Sequence, residues 1–302
     1  MLINITLYYL KTKMSKQIEY SYQDCWDYAL SLQKNILDDK VKNDLIILCQ
    51  TTSEKFWLNF NDKILTFSDY SKICHNLFRY LNDNYPIPYL VNEVFFYEMP
   101  FCIEEGVLIP QKDTEILVEK TKELAEKIWS SKKKLKFLDI GTGCGNIAIS
   151  LAKDKPNWNI TAIDINKSAL KVAQINAKKQ KLTNIQFRKS NLFDSIDSEE
   201  IFDVVVSNPP YISADEYQKL SVMTRQQPFE ALVAENNGYY FYKQILQKAR
   251  SFLSTSFLIV MEIGHQQKEK VIKFIIEYFP NSKVSIFADY QGHSRVIAVY
   301  RL

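Results

Sequence analysis

Phe137-Leu-Asp-Ile-Gly141-Thr-Gly143-Cys-Gly145-Asn-Ile decides how the larger part of this chain is read. An apolar run, Leu135 to Ile140, stops at Gly141, and a helical pattern, Ile147 to Lys153, starts just past Gly145. Strand, glycine loop and helix in that order make the setting of a nucleotide-type ligand loop. Glycines let the backbone approach a ligand closely, and the first amides of the helix point into the site. The chain has 7 glycines among 302 residues, so three of them on alternate positions are not filler. The spacing G-x-G-x-G differs from the G-x-G-x-x-G of dinucleotide folds, because Asn146 stands where the third glycine would fall.

Downstream of this stretch the pattern repeats. Trp158 to Ile163 is a second apolar run, followed by a helical face through Leu170, Val172 and Ile175. Ile185 to Phe187, Ile201 to Val206 and Phe257 to Ile263 are further runs. A helix with Val271, Phe274, Ile275 and Tyr278 follows, and Val284 to Phe287 and Val296 to Tyr300 close the chain. Alternating strands and helices predict an α/β domain with a mainly parallel sheet buried on both faces. Its ligand site then lies at the carboxyl ends of the first strands.

Upstream the character changes. Residues from about 18 to 81 read as helices: Tyr22, Trp26, Leu30 and Leu37 follow a loose helical rhythm, and Leu45 to Cys49 is a second apolar stretch. Ser68 or Asp69 is placed to cap a third helix carrying Ile73, Leu77, Tyr80 and Leu81. Asn82 to Pro88 is a breaker cluster. From Val94 to Pro110 the aromatic and β-branched content predicts short strands, Val107 to Ile109 among them, with a turn at Gly106. Leu117, Thr121, Leu124 and Ile128 mark one face of a helix. The expected organisation is a helical N-terminal domain over 15–90, a hairpin linker over 91–112 and the sheet domain over 113–302.

Composition narrows the function. Hydrophobic residues at 46% and charged residues at 24% fit a globular chain, and a net charge of +3 does not call for a nucleic-acid partner. Cys25, Cys49, Cys74, Cys102 and Cys144 are odd in number and contain no C-x-x-C, and only three histidines accompany them. They read as free thiols of a reducing cytoplasm, with no metal site expected. No apolar run reaches the ~20 residues of a membrane span. The apolar start, Leu2 to Leu10, has no basic residue before it and is not read as a signal peptide. Met14 marks the residues before it as a possible extension.

Two further features carry chemistry. Asp164, at the end of the second run, offers two oxygens that can accept both hydroxyls of a ribose, unless it only caps the helix at Lys167. Beyond Val204-Val-Val-Ser207 stands Asn208-Pro209-Pro210-Tyr211. Two prolines stiffen the turn and fix one polar and one aromatic side chain. The Asn208 side-chain carbonyl and the Pro209 backbone carbonyl can each accept a hydrogen from one planar NH2 group. An amide nitrogen is a poor nucleophile because its lone pair is delocalised, and two acceptors favour the charge that builds on it during attack. Tyr211 can pack on the flat group.

Asp-Ile-Gly-Thr-Gly-Cys-Gly, Asp164 and Asn-Pro-Pro-Tyr resemble the class I S-adenosylmethionine methyltransferases that modify planar amino groups. With Val107-Leu-Ile-Pro110, Met261-Glu-Ile-Gly264 and Gly292-His-Ser-Arg295-Val in the same order, the chain is similar over residues 20–302 to the peptide chain release factor glutamine methyltransferases (HemK/PrmC type). The resemblance implies a Rossmann-like domain with a seven-stranded mainly parallel sheet and a small all-α N-terminal domain joined by a β-hairpin. It implies S-adenosyl-L-methionine as cofactor, with Gly141, Thr142, Gly143, Cys144 and Gly145 around its methionine end, Asp164 on its ribose, Leu192 beside its adenine and Asn208 next to its methyl. Asn208, Pro209, Pro210 and Tyr211 would hold the substrate glutamine, and Phe101 would cover the site. The implied reaction is in-line methyl transfer to the glutamine side-chain nitrogen of the Gly-Gly-Gln loop in class I release factors. A cytoplasmic monomer without membrane or nucleic-acid partner is expected, its helical domain gripping the release factor. The alternatives are a ribosomal-protein glutamine methyltransferase, an adenine-N6 methyltransferase, which needs a base-flipping pocket, and a binding module without activity. Two departures stand out: Gln111-Lys112-Asp113-Thr114-Glu115 where the family has Arg-Pro-Glu-Thr-Glu, and Gln227-Pro228 where it has Glu-Pro.

Overall fold

The structure is a computed structural model that describes residues 19–33, 38–51, 53–62, 64–129 and 134–302. Leu2 to Leu10, Met14 and Leu37 lie outside the described residues. The chain divides into two compact units, Met1–Val91 and Asn92–Leu302.

The first unit is built from helices α1 (Tyr22–Leu32), α2 (Asp39–Leu48), α3 (Ser53–Leu58), α4 (Phe67–Asp83) and α5 (Ile87–Val91). Ser21 starts α1 with a reciprocal cap: its hydroxyl accepts from the Asp24 N–H while the Asp24 carboxylate accepts from the Ser21 N–H. The buried stripe of α1 runs through Tyr22, Cys25 and Ala29, and Trp26 stands to one side, edge-on to Trp57 at 5.3 Å. α4 is capped by Thr66, not by Ser68 or Asp69. Asp69 sits one turn in, where its N–H donates to the Thr66 hydroxyl. α4 stops at Asn84, whose left-handed φ of +53° ends the helix before Pro86.

The second unit opens with an antiparallel hairpin, β1 (Glu93–Phe96) and β2 (Met99–Cys102). The elements that follow are α6 (Thr114–Ile128), β3 (Lys136–Ile140), α7 (Asn146–Asp154), β4 (Asn159–Asp164), α8 (Lys167–Lys179), β5 (Ile185–Lys189) and β6 (Phe202–Ser207). One-turn helices occupy much of 214–238 before α9 (Tyr240–Ala249), β7 (Leu253–Glu262), α10 (Lys268–Tyr278), β8 (Lys283–Ala288) and β9 (Ser294–Arg301). Val107 to Ile109 form no strand. The Ile109 N–H donates to the Gln227 side-chain oxygen at 3.0 Å, where a strand would use it on a sheet neighbour.

Seven strands form one sheet in the order β5-β4-β3-β6-β7-β9-β8. Pairing is parallel from β5 through β7, and β9 runs against both its neighbours. β3, β4, β6 and the second half of β7 are buried along nearly their whole length, because helices cover both faces. The outer strands β5 and β8 stay partly exposed. The chain leaves β3 toward one edge through β4 and β5, then returns to place β6 on the other side of β3. That reversal opens a crevice at the carboxyl ends of β3 and β6, where the Ser207 hydroxyl donates to the Ile140 carbonyl at 2.7 Å.

Candidate active site

The crevice is a cleft with a cavity volume of about 170 Å³. Gly141, Thr142, Gly143, Asp164, Leu192, Asn208, Pro209 and Pro210 line it. The Gly141 and Thr142 amides both donate to the Ile163 carbonyl at 2.9 Å, which ties the loop after β3 to the end of β4. Gly141, Gly143 and Gly145 have φ of +73°, +55° and +85°, a region that L side chains rarely occupy. They serve different ends. A Cβ on Gly141 or Gly143 would meet nothing within 4 Å, whereas one on Gly145 would lie 2.9 Å from Ile149 Cδ1 and 3.1 Å from Ala173 Cβ. The first two keep the cleft open, and the third lets α7 pack against α8.

Asp164 does not cap α8. Asn166 does, its side chain accepting from the Ser168 and Ala169 amides. Asp164 Oδ2 accepts from the Gly143 N–H and Oδ1 from the Asn166 N–H, each at 2.8 Å. A carboxylate has about four acceptor positions, so one on each oxygen remains for a diol. Burial raises the Asp164 carboxyl above its ordinary value, against the pull of these amides. Behind it Asp139 is fully buried: Oδ2 accepts from the Thr142 hydroxyl at 2.6 Å, and Oδ1 has no hydrogen-bond partner among the described residues. Burial pushes the Asp139 carboxyl up to about 7. Leu192 enters the cleft from a tight turn at φ +50°, held by the Ser190 hydroxyl, which donates to the Leu192 carbonyl at 2.6 Å. Open space over two glycines, a carboxylate with spare acceptors and an apolar contact from Leu192 fit S-adenosylmethionine.

Across the cleft stands the corner after β6. Asn208 Nδ2 donates to Thr114 Oγ1 at 3.1 Å. Thr114 Oγ1 in turn donates to Glu262 Oε2 at 2.7 Å, and the Tyr211 hydroxyl donates to Glu262 Oε1 at 3.2 Å. Glu262 is buried at the end of β7, and burial pushes its carboxyl up to about 7. The corner is braced from behind: Gln267 Nε2 donates to the Tyr211 carbonyl at 2.9 Å, and a Cβ on Gly238 would come within 2.2 Å of that oxygen.

Four residues singled out in the sequence stand off the cleft lining. Cys144 is buried, with its carbonyl accepting from Asn176 Nδ2 at 3.0 Å, and Gly145 packs as described. Tyr211 is turned onto Glu262. Phe101, expected to cover the site, is instead buried edge-on against Phe96 at 6.0 Å, because strand alternation sends Met99 and Phe101 inward from β2. The two departures find partners. Asp113 pairs with Arg295 at 3.3 Å, and Arg295 also pairs with Asp289. Gln227 holds the Ile109 amide, a bond that needs only an acceptor oxygen. Thr114 and Glu262 stand in two of the blocks quoted above, but no role is assigned to either side chain there. The available signal was a lone carboxylate inside the apolar run Phe257 to Ile263. No cluster of three metal-ligating side chains occurs among the described residues.

A family model described as a methyltransferase domain matches residues 131–278. The release factor glutamine methyltransferase of Lactococcus lactis is 39% identical over 244 residues, 80% of this chain and 87% of the relative. Its namesake in Fusobacterium nucleatum is 40% identical over 213 residues, 70% of this chain and 59% of the relative. Among solved structures, the hMettl16 catalytic domain in complex with a MAT2A 3'UTR hairpin aligns over 85% of this chain and 90% of its own length at a TM-score of 0.52 and 15% identity, a likeness of fold. With its mixed sheet, its glycine-lined cleft and this identity along most of its length, the chain belongs to the release factor glutamine methyltransferase family and is an S-adenosylmethionine-dependent methyltransferase.

Proposed function

We propose that the Asn208 corner holds the side-chain amide of a glutamine, that of the Gly-Gly-Gln loop in class I peptide release factors, for methylation on nitrogen. The observation that carries this reading is that Asn208 and Pro209 line the same cleft as Gly141, Gly143 and Asp164. S-adenosylmethionine, when bound, supplies an electrophilic sulfonium methyl. Gly141 and Gly143 make room for its methionine end, Asp164 accepts from its ribose and Leu192 packs against its adenine. Asn208 Oδ1 and the Pro209 carbonyl each accept one hydrogen of the substrate NH2. They orient the nitrogen and favour positive charge on it as its lone pair is drawn from the amide. Positioning then supplies most of the rate: well-oriented reactants gain ~7–11 kcal/mol in favourable systems. The proton shed by the nitrogen can pass to water afterwards, so no strong base is required of the protein. The helical unit serves to grip the body of the release factor, and the protein acts as a monomer in the cytoplasm.

Transfer of a labelled methyl group to purified release factor, ribosomes and DNA side by side tests this. Label on the release factor alone, lost when its glutamine is replaced, is expected. Label on DNA or on ribosomal protein alone overturns it.

A further inference from the structure

Asn208 works only one way round. Its side chain carries an acceptor and a donor of nearly equal shape, and the proposed role needs the acceptor in the cleft. Nothing in Asn208 itself selects that orientation. The selection comes from 94 and 54 residues away along the chain, at Thr114 and Glu262. Thr114 and Glu262 are each 2% exposed. The Thr114 hydroxyl has one hydrogen, and at 2.7 Å it is given to Glu262 Oε2. What Thr114 Oγ1 then presents to Asn208 is a lone pair, so it is met by Nδ2 at 3.1 Å. A turned amide would set Oδ1 against that lone pair and leave a buried contact of two acceptors. Oδ1 in the observed orientation has no hydrogen-bond partner among the described residues.

We infer that Glu262 and Thr114 are positioning residues that lock the Asn208 amide with its oxygen free for the substrate, Glu262 acting through the Thr114 hydroxyl. The inference deepens the function proposed above and rests on it for its kinetic half.

Glu262 fills this role because an ionised carboxylate only accepts. Thr114 from α6 and Tyr211 from the corner both donate to it, Tyr242 of α9 and Arg295 of β9 face it, and Arg295 is itself held by Asp113 and Asp289. Protonation makes one Glu262 oxygen a donor, which forces either the Thr114 or the Tyr211 bond to reverse. Burial places this change near 7.

Thr114→Val removes the hydroxyl at nearly constant shape, and Thr114→Ser restores it. In protein labelled with 15N on asparagine side chains, the Asn208 NH2 resonance is the one missing from Asn208→Ala. It is expected to shift and to exchange faster with solvent in Thr114→Val and to keep its wild-type position in Thr114→Ser. On a release factor substrate, Thr114→Val should lower kcat by about tenfold to a hundredfold with KM and donor affinity unchanged, as for a small misplacement of reacting groups. Thr114→Ser should recover it, and Glu262→Gln, whose NH2 meets either the Thr114 or the Tyr211 hydroxyl donor at every pH, should lower kcat with donor affinity unchanged. An Asn208 resonance indifferent to Thr114→Val, or a kcat loss that Thr114→Ser shares, overturns the lock. A wild-type protein that leaves the release factor unlabelled while its Asn208 resonance still answers to Thr114→Val overturns the proposed substrate and leaves the lock standing.

Discussion

The two walls of the cleft are held by different means. On one side the loop after β3 is shaped by backbone: three glycines at positive φ, two amides on the Ile163 carbonyl, and Asp164 accepting from the Gly143 and Asn166 amides. On the other side the corner after β6 is held by side chains from distant elements: Thr114 of α6, Glu262 of β7 and Gln267 just before α10. A backbone wall is written into local residue choice. A side-chain wall exists only once the sheet has brought its parts together.

The largest expected effect falls on the second wall. Asn208→Ala should lower turnover by about a hundredfold to a thousandfold, the usual cost of losing one group that stabilises developing charge. Donor affinity by calorimetry should stay as in the wild type, because the glycine wall is untouched. Loss of donor binding together with turnover would erase the division between the walls.

The next effect tests the buried carboxylate behind the first wall. Asp139 has a folded value raised to about 7 from 3.8. Its contribution to stability is therefore full below pH ~4 and is lost as pH rises through 7. Across pH 5 to 8 this one group takes about 3 kcal/mol from the folded state. Urea unfolding of Asp139→Asn should show a correspondingly flatter pH dependence than the wild type. Equal slopes would mean that Asp139 is not held in the state its burial demands.

Within the glycine loop the contrast is finer. Gly145→Ala meets Ile149 and Ala173 at 2.9 and 3.1 Å and should cost roughly 2–3 kcal/mol of stability, from overpacking and an unfavourable φ together. Gly143→Ala meets open space and should cost about 1 kcal/mol from its φ alone, yet weaken donor binding more than Gly145→Ala does. Thermal unfolding and donor titration of the pair separate the two roles, and a reversed order in either would refute the assignment. Asp164→Asn sets an NH2 against either the Gly143 or the Asn166 amide, both of which donate to the carboxylate, and is expected to reduce donor affinity by about tenfold or more, the scale of one hydrogen bond to a charged group.

Legibility in the sequence follows the same division. Continuous apolar runs announced β3, β4, β6 and β7, because strands covered on both faces have no polar side to show. The glycine loop was readable for the reason that few residues tolerate its backbone. Val107 to Ile109 misled, since β-branched content is shared by strands and by extended segments whose amides bond to side chains, as Ile109 does to Gln227. Phe101 misled because its direction depends on how β2 lies on the rest of its unit. The α4 cap lies two or three residues before the expected one: Thr66, Ser68 and Asp69 are all cap formers, and only the chain direction at Thr66 selects among them.

What the amino-acid order determined alone is the succession of strands and helices, the glycine-shaped loop and the stiff proline corner, since each depends on steric preferences acting within a few residues. What the tertiary structure decided is the meeting of Asn208 with Thr114 and Glu262, the release of Asp164 from a capping role and the burial of Phe101. Hydrogen bonds between residues as much as 148 positions apart have no local signature. They come into being when the strand order reverses between β3 and β6.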